Sequence, residues 1–209
     1  DLSPRLDSVQ RAMVDGIIET TFPGTNRTWE WLSRGGGRVD RLSVWIGSLS
    51  SKNSRRCLRV GRKKVIASIE GESSAAESIT FQSAMDVPRG AWLSIVDPAL
   101  FESGLQGSWL NSAVKSGTGS SWVRTEGRRP LLIHSDALSD DENVQGFVVA
   151  TGEIVQQRLR PPELHTIDQV ASSISKKGIG KVTLRCRLDP EIHPTLQRRL
   201  DRELKEVDG

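Results

Sequence analysis

From Arg41 to Arg158 the chain is a succession of short apolar or alternating runs, each closed within a few positions by turn residues. Leu42, Val44 and Ile46 alternate with Arg41, Ser43 and Trp45. A half-buried strand requires this period of two, because successive side chains leave opposite faces of the pleat. Cys57 to Val60 and Val65 to Ile69 read as two more strands, with Gly61 to Lys64 as the tight turn between them. Runs at 79–85, 91–96, 121–125, 131–133, 145–150 and 153–158 continue the series, which predicts a sandwich or barrel.

Helical spacing is confined to the flanks and one interior segment. Ser3-Pro4 reads as an N-cap with proline at the first helical position, and Leu6, Val9, Met13 and Ile17 then share one face. Phe22-Pro23-Gly24 stops this helix, and Gly35-Gly36-Gly37 forms a connection before the β region. Trp29 and Trp31 lie between those breaks, available for base stacking or for packing; their large apolar area favours packing. Pro98 to Val114 predicts the interior helix, with Phe101, Leu105, Trp109 and Ala113 inward. Thr166 with Gln169 forms a capping box ahead of Ile167, Val170 and Ile174, and Lys176-Lys177-Gly178 ends that helix. Val182, Leu184, Cys186 and Leu188 then alternate as a strand whose other face carries Arg185 and Arg187. A closing helix, Pro194 to Val207, has a stripe of Leu196, Leu200 and Leu204 and surface pairs Arg199–Glu203, Asp201–Lys205 and Arg202–Glu206. The whole reads as one domain, 1–209, with an N-terminal helix and linker (1–37), a β core (38–160) and a C-terminal helix-strand-helix (161–209).

Within the β region, Lys52 to Lys64 places seven cations, Lys52, Arg55, Arg56, Arg59, Arg62, Lys63 and Lys64, in thirteen residues without one carboxylate. A phosphate backbone is one natural counterpart, since each neutralised phosphate releases condensed counterions. The alternative is a solvated hairpin, or a basic strip facing acidic residues elsewhere in the fold. The formal net charge is only +3, so the stretch is a local feature. Arginine outnumbers lysine 21 to 8, and arginine is the cation whose planar fork fits phosphate. Arg185 and Arg187 are a second candidate contact for an anion.

No apolar run approaches the ~20 residues of a membrane span. Cys57 and Cys186 are the only cysteines, which argues for a reducing compartment and against a disulfide framework or metal cage. His134-Ser135-Asp136 is the most enzyme-like constellation, yet neighbours on a strand end point to alternate faces and cannot form a triad. Neither catalytic residues, metal ligands, a cofactor nor a small-molecule substrate is expected.

An ordered string of features between residues 38 and 150 resembles the core of plant-virus cell-to-cell movement proteins of the 30K superfamily, the tobamovirus type in particular. Arg38-Val39-Asp40-Arg41-Leu42-Ser43-Val44 resembles the lead-in to that family's first core strand. Val87-Pro88-Arg89-Gly90 followed by Leu93-Ser94-Ile95-Val96-Asp97 is similar to its turn and the strand closed by a characteristic Asp. Leu105 to Lys115, with Gly107-Ser108-Trp109, resembles its small-residue helix, and Trp122-Val123-Arg124, Pro130 and Ser135-Asp136-Ala137-Leu138 follow in the family's order. Pro98-Ala99 departs from the family's pattern after the Asp, and the aromatic after Pro130 and the long charged tail are missing.

The resemblance implies a mainly β (α+β) fold, a jelly-roll-like β-sandwich with flanking N- and C-terminal helices. It implies binding of single-stranded RNA, or DNA, without sequence preference. Host membranes or plasmodesmal proteins are implied as partners, with self-association open. The location implied is the host cytoplasm and plasmodesmata, and Asp97, Pro88 and Gly107 become structural or transport-critical positions. A matrix-like or scaffold protein that self-associates and adheres to acidic membranes is the competing reading of the same basic stretch.

Overall fold

The computed structural model describes residues 2–4, 6–74, 88–115, 119–125, 127, 129–156, 162–185 and 188–205. They belong to two compact units, Asp1–Gln157 and Arg158–Gly209, where the sequence reads as one domain.

The first unit opens with helix α1 (Ser8–Thr21). Its N-cap is Asp7 rather than Ser3. Asp7 accepts the Gln10 N–H at 2.8 Å and Gln10 Oε1 accepts the Asp7 N–H at 3.0 Å, a reciprocal box that Ser3, with Leu6 at the matching position, cannot make. Leu6 and Val14 pack on the core and Ile18 is buried, but Val9, Met13 and Ile17 are 62%, 64% and 66% exposed. The apolar stripe therefore faces solvent, against expectation. Polar contacts to the tryptophans select the other side: Asp15 accepts the Trp29 Nε1–H at 3.1 Å, and the Arg11 guanidinium lies 5.7 Å from the Trp31 ring centre.

Strands β1 (Arg27–Ser33), β2 (Arg41–Ile46), β3 (Arg55–Val60) and β4 (Val65–Gly71) form a first sheet in the order β2-β1-β3-β4. The β1/β2 and β3/β4 pairs are antiparallel and β1/β3 is parallel. The second sheet holds β5 (Trp92–Val96), β6 (Ser120–Arg124), β7 (Leu131–His134) and β8 (Val148–Glu153) in the antiparallel order β6-β7-β5-β8. β1, carrying Trp29 and Trp31, is a strand that the sequence reading treats as a connection. Run 79–85 lies outside the described residues. Gln145, read as opening the run 145–150, ends a short helix, α4 (Glu142–Gln145), and β8 takes up Val148–Glu153; residues 157–158 of the run 153–158 lie outside the described residues. The interior helix divides into α2 (Ala99–Glu102) and α3 (Gln106–Ala113) at Gly104, whose φ of +74° no helix accommodates.

Both sheets and these helices share one core. Trp29, Trp31, Leu42 and Cys57 from the first sheet cluster with Val96, Trp122 and Leu132 from the second and with Leu100, Leu105, Trp109 and Phe147 between. Trp122 receives the Phe101 ring edge-on at 4.6 Å, and the Trp109 Nε1–H donates to the Val144 carbonyl at 3.3 Å.

The second unit is a pair of helices, α5 (Ile167–Ser175) and α6 (His193–Lys205). Ile167, Ala171 and Ile174 meet Leu196, Leu200 and Leu204 in its core. Thr166 precedes α5 without capping it, its hydroxyl being engaged with Glu163 instead. Val182, Leu184 and Leu188 pack on the helices as the alternation requires, but no ladder forms among the described residues. The Gln197 side chain takes the ladder's place: its Oε1 accepts the Leu184 N–H at 2.8 Å and its Nε2 donates to the Val182 carbonyl at 2.7 Å.

Candidate nucleic-acid interface

The basic stretch is divided by the sheet. Lys52 is exposed in the loop before β3, while Arg62, Lys63 and Lys64 are exposed in the turn after it, closed by the Gly61 N–H donating to the Lys64 carbonyl at 2.9 Å. Six strand residues separate the two groups, roughly 20 Å at the usual rise. The arginines along β3 are largely engaged inside the protein.

Arg56 stands in register with Glu30 of β1 and Glu70 of β4. Its Nε and Nη2 reach Glu30 Oε2 at 2.7 and 2.6 Å, and Nη1 reaches Glu70 at 3.5 Å. This is the basic strip facing acids, realised across three adjacent strands. Arg59 points to the opposite face, where its Nε lies 3.7 Å from Oδ2 of Asp97, a residue 1% exposed. Arg55 turns to the same side as Arg59; its Nη1–H donates to the Ser103 carbonyl at 2.7 Å and its guanidinium lies 5.6 Å from the Trp31 ring centre. Arg56 and Arg59, counted on sequence grounds among the nucleic-acid contacts, are thus structural ion-pair partners. Arg185 is exposed in the second unit, and Arg187 lies outside the described residues.

Because β1 and β3 run parallel, the β1–β2 connection and the β3–β4 turn emerge at the same end of the sheet. Exposed Arg34 and Arg38 in the first, and Arg41 opening β2, join Arg62, Lys63 and Lys64 there. Leu32, Arg34, Asp40, Arg41, Val60, Gly61 and Arg62 line a cleft of about 650 Å³. Asp40 is the one acid among the described lining residues; it accepts the Arg34 N–H at 2.7 Å and lies 4.0 Å from Arg38. Sequence reasoning misses Arg34, Arg38 and Arg41 as partners of the turn, since only the parallel pairing joins segments more than twenty positions apart.

Asp97 is held as a structural residue. Ser33 Oγ–H donates to Oδ2 at 2.6 Å and the Ala99 N–H donates to Oδ1 at 3.0 Å, the bond to the following helical turn that its place before Pro98 predicts. Gly107 is required by packing: its N–H donates to Ser74 Oγ at 3.1 Å, and a side chain there would overlap that hydroxyl. Pro88 is exposed in the turn leading to β5, where its carbonyl accepts the Ala91 N–H at 3.4 Å.

His134 is buried and pairs with neither Ser135 nor the Asp136 carboxylate. Its Nδ1 faces the Asp136 carbonyl at 2.5 Å and its Nε2 lies 2.8 Å from Ser94 Oγ, itself 2.8 Å from Thr151 Oγ1. With the proton of the neutral ring on Nδ1, Nε2 accepts from the Ser94 hydroxyl. Ser94 is fully buried, so this is a satisfied polar chain between strands rather than a nucleophile facing a cleft.

Comparison of the chain with protein-family models, with curated proteins and with solved structures returns no match.

Proposed function

We propose that this chain binds single-stranded nucleic acid through the cationic end of its first sheet, without sequence preference, as a movement protein of the 30K kind that carries it between host cells through plasmodesmata. The observation that carries the binding proposal is the parallel β1/β3 pair, which gathers Arg34, Arg38, Arg62, Lys63 and Lys64 at one end, with Arg41 beside them and Asp40 the acid among the described lining residues. A cluster of this kind tracks a phosphate backbone and reads no bases. The transport part of the proposal rests on the resemblance across residues 38–150, and so does a jelly-roll-like sandwich. Two four-stranded sheets on one core suit a sandwich. A jelly roll sends successive strands to alternate sheets, however, whereas here β1 to β4 stay in one sheet and β5 to β8 in the other.

The test is titration of a labelled uridine 20-mer across a salt series. If about four phosphates are engaged, log affinity falls with log salt at a slope of about −3. Arg62→Ala with Lys63→Ala and Lys64→Ala should flatten that slope by about 2, and adding Arg34→Ala and Arg41→Ala should flatten it further. Unchanged affinity and slope in a folded quintuple variant sinks the proposal. Binding to vesicles of acidic lipid without binding to RNA would favour the matrix-like reading instead.

A further inference from the structure

A second basic site lies on the other side of the sheet, between α1 and the start of β3. Ser8, Arg11, Ala12, Asp15, Arg27, Trp29, Trp31, Ser54 and Arg55 line a cleft of about 400 Å³. Two arginines in it, Arg11 of α1 and Arg55 of β3, meet over one aromatic ring. The guanidinium groups of Arg11 and Arg55 lie 5.7 and 5.6 Å from the centre of the same ring, that of Trp31. Among the described residues each makes one hydrogen bond, Arg11 Nη1 to the Leu6 carbonyl at 2.6 Å and Arg55 Nη1 to the Ser103 carbonyl at 2.7 Å. Among the described residues neither lies within ion-pair distance of a carboxylate. The acid of the lining, Asp15, is already engaged, at 2.8 Å from Arg27 Nε and 3.1 Å from Trp29 Nε1. Arg27 is closed off as well, with Glu19 at 2.9 Å on its Nη1.

Two like charges on one aromatic platform repel each other. Burial, and next the Arg11 charge, pull the Arg55 guanidinium below its usual value, against the opposing fields of Glu72 and Asp15. Each guanidinium carries five N–H donors, so beyond that one bond four on each are open to solvent or to a ligand in the cleft. The planar fork pairs bidentately with phosphate as it does with carboxylate, and of these a phosphate monoester is the dianion that can offset both charges at once. The Ser8 and Ser54 hydroxyls stand on the same lining, although Ser54 Oγ already donates to Glu72 at 2.5 Å. Trp31 is 1% exposed and capped by both arginines, so no base can stack on it. We propose that this cleft binds a phosphate monoester, its terminal oxygens held between Arg11 and Arg55. The site shares no residue with the cationic end of the sheet and stands independently of the nucleic-acid proposal.

The test follows thermal unfolding of the full chain in sodium phosphate and in sodium chloride of equal ionic strength. At phosphate on the order of 10 mM, the melting temperature should rise about 3 °C beyond the chloride value. A 5′-phosphorylated thymidine dinucleotide should reproduce the shift, and its 5′-hydroxyl counterpart should not. Arg11→Gln and Arg55→Gln should each remove the difference while keeping the far-UV circular dichroism. Sedimentation with phosphatidylcholine vesicles containing phosphatidic acid, lost in Arg11→Gln, would assign the monoester to a lipid headgroup; a dinucleotide shift without sedimentation would assign it to a nucleic-acid end. Equal shifts in phosphate and chloride, or a phosphate shift that survives both variants, overturns the proposal. If Arg55→Gln fails to fold for want of its bond to Ser103, Arg11→Gln alone decides by the same criterion. The variant lacking Arg62, Lys63 and Lys64 should keep the phosphate shift even where it has lost the RNA 20-mer, so the two proposals fail separately.

Discussion

Arg59 reaches across the core face of its sheet to place Nε 3.7 Å from Oδ2 of Asp97, joining β3 to the end of β5. Ser33 of β1 completes the arrangement, and the guanidinium lies against Gly35, whose φ of +81° and lack of a Cβ leave it room. Cys57, two residues before Arg59, is buried beside this carboxylate, and burial followed by the Asp97 charge pushes its thiol well above the usual range.

Breaking a buried pair by removing one partner leaves the other uncompensated. Asp97→Ala is expected to cost about 3 kcal/mol in urea unfolding, and Arg59→Ala a similar amount. The double variant should lose less than the two added together. Gly35→Ala, which drives a methyl into the guanidinium, should resemble Arg59→Ala. In the native protein Cys57 should react with a thiol reagent only at the rate of opening, and Asp97→Ala should accelerate it.

Arg56 gives the opposite expectation from the cations at the sheet end. Removing it strands Glu30, whose side chain is 8% exposed, so Arg56→Ala should destabilise by about 2 to 4 kcal/mol. RNA affinity, measured where the variant is folded, should stay within a factor of about 3, since an arginine neutralised by two carboxylates releases few counterions. A large affinity loss with unchanged stability would return Arg56 to the binding surface.

Strand 41–46 was legible because its period of two survives any tertiary arrangement, and 57–60, 65–69 and 131–133, short apolar runs closed by turn residues, also fall within strands. β1 was legible in part, since Thr28, Glu30 and Leu32 alternate with Trp29, Trp31 and Ser33, but both sides of it are covered and the polar side hides among charges. The sign of an amphipathic helix was not legible. Residues 9, 13 and 17 form a genuine stripe on α1, and only the partners of Arg11 and Asp15 decide which side turns inward. The basic stretch failed as a unit for a related reason: charge density along the chain says nothing about the acids that the sheet register brings opposite, as Glu30 and Glu70 are brought to Arg56.

His134 should make stability depend on pH near neutrality. Burial lowers its pKa from the ordinary 6.5, against smaller opposing effects of the Asp136 carbonyl and carboxylate. The unfolded chain therefore takes up the proton first. The contribution of the neutral ring is complete above 6.5 and is lost as pH falls from there through the lowered folded value. The slope is at most about 1.4 kcal/mol per pH unit. Glu102, raised by burial and by Asp97, acts in the opposite sense nearer its ordinary 4.5. The measurement is therefore the difference between wild type and His134→Asn in urea midpoint from about pH 7.5 to 5.5, which isolates the histidine. Parallel curves for the two proteins would show that the ring does not titrate on unfolding.

The closing helix should matter for packing and little through its surface charges. Leu196, Leu200 and Leu204 are 1%, 0% and 0% exposed, and they face Ile167, Ala171 and Ile174 of α5. Leu200→Ala should therefore cost about 2 to 5 kcal/mol, a large share of what so small a unit can hold. The charges are arranged otherwise than helical spacing suggests: Arg199 crosses to Asp168 on α5 at 2.6 Å rather than pairing with Glu203, which receives Arg202 at 2.9 Å. The Arg199–Asp168 partners are 36% and 54% exposed, so Arg199→Ala should cost under about 1 kcal/mol and less still in high salt. Hydrogen exchange on the full chain, read at the amides of α5 and α6, separates the two effects. Leu200→Ala should strip protection from both helices together while β3 and β5 keep theirs; an equal loss in the strands would mean that the two units unfold as one.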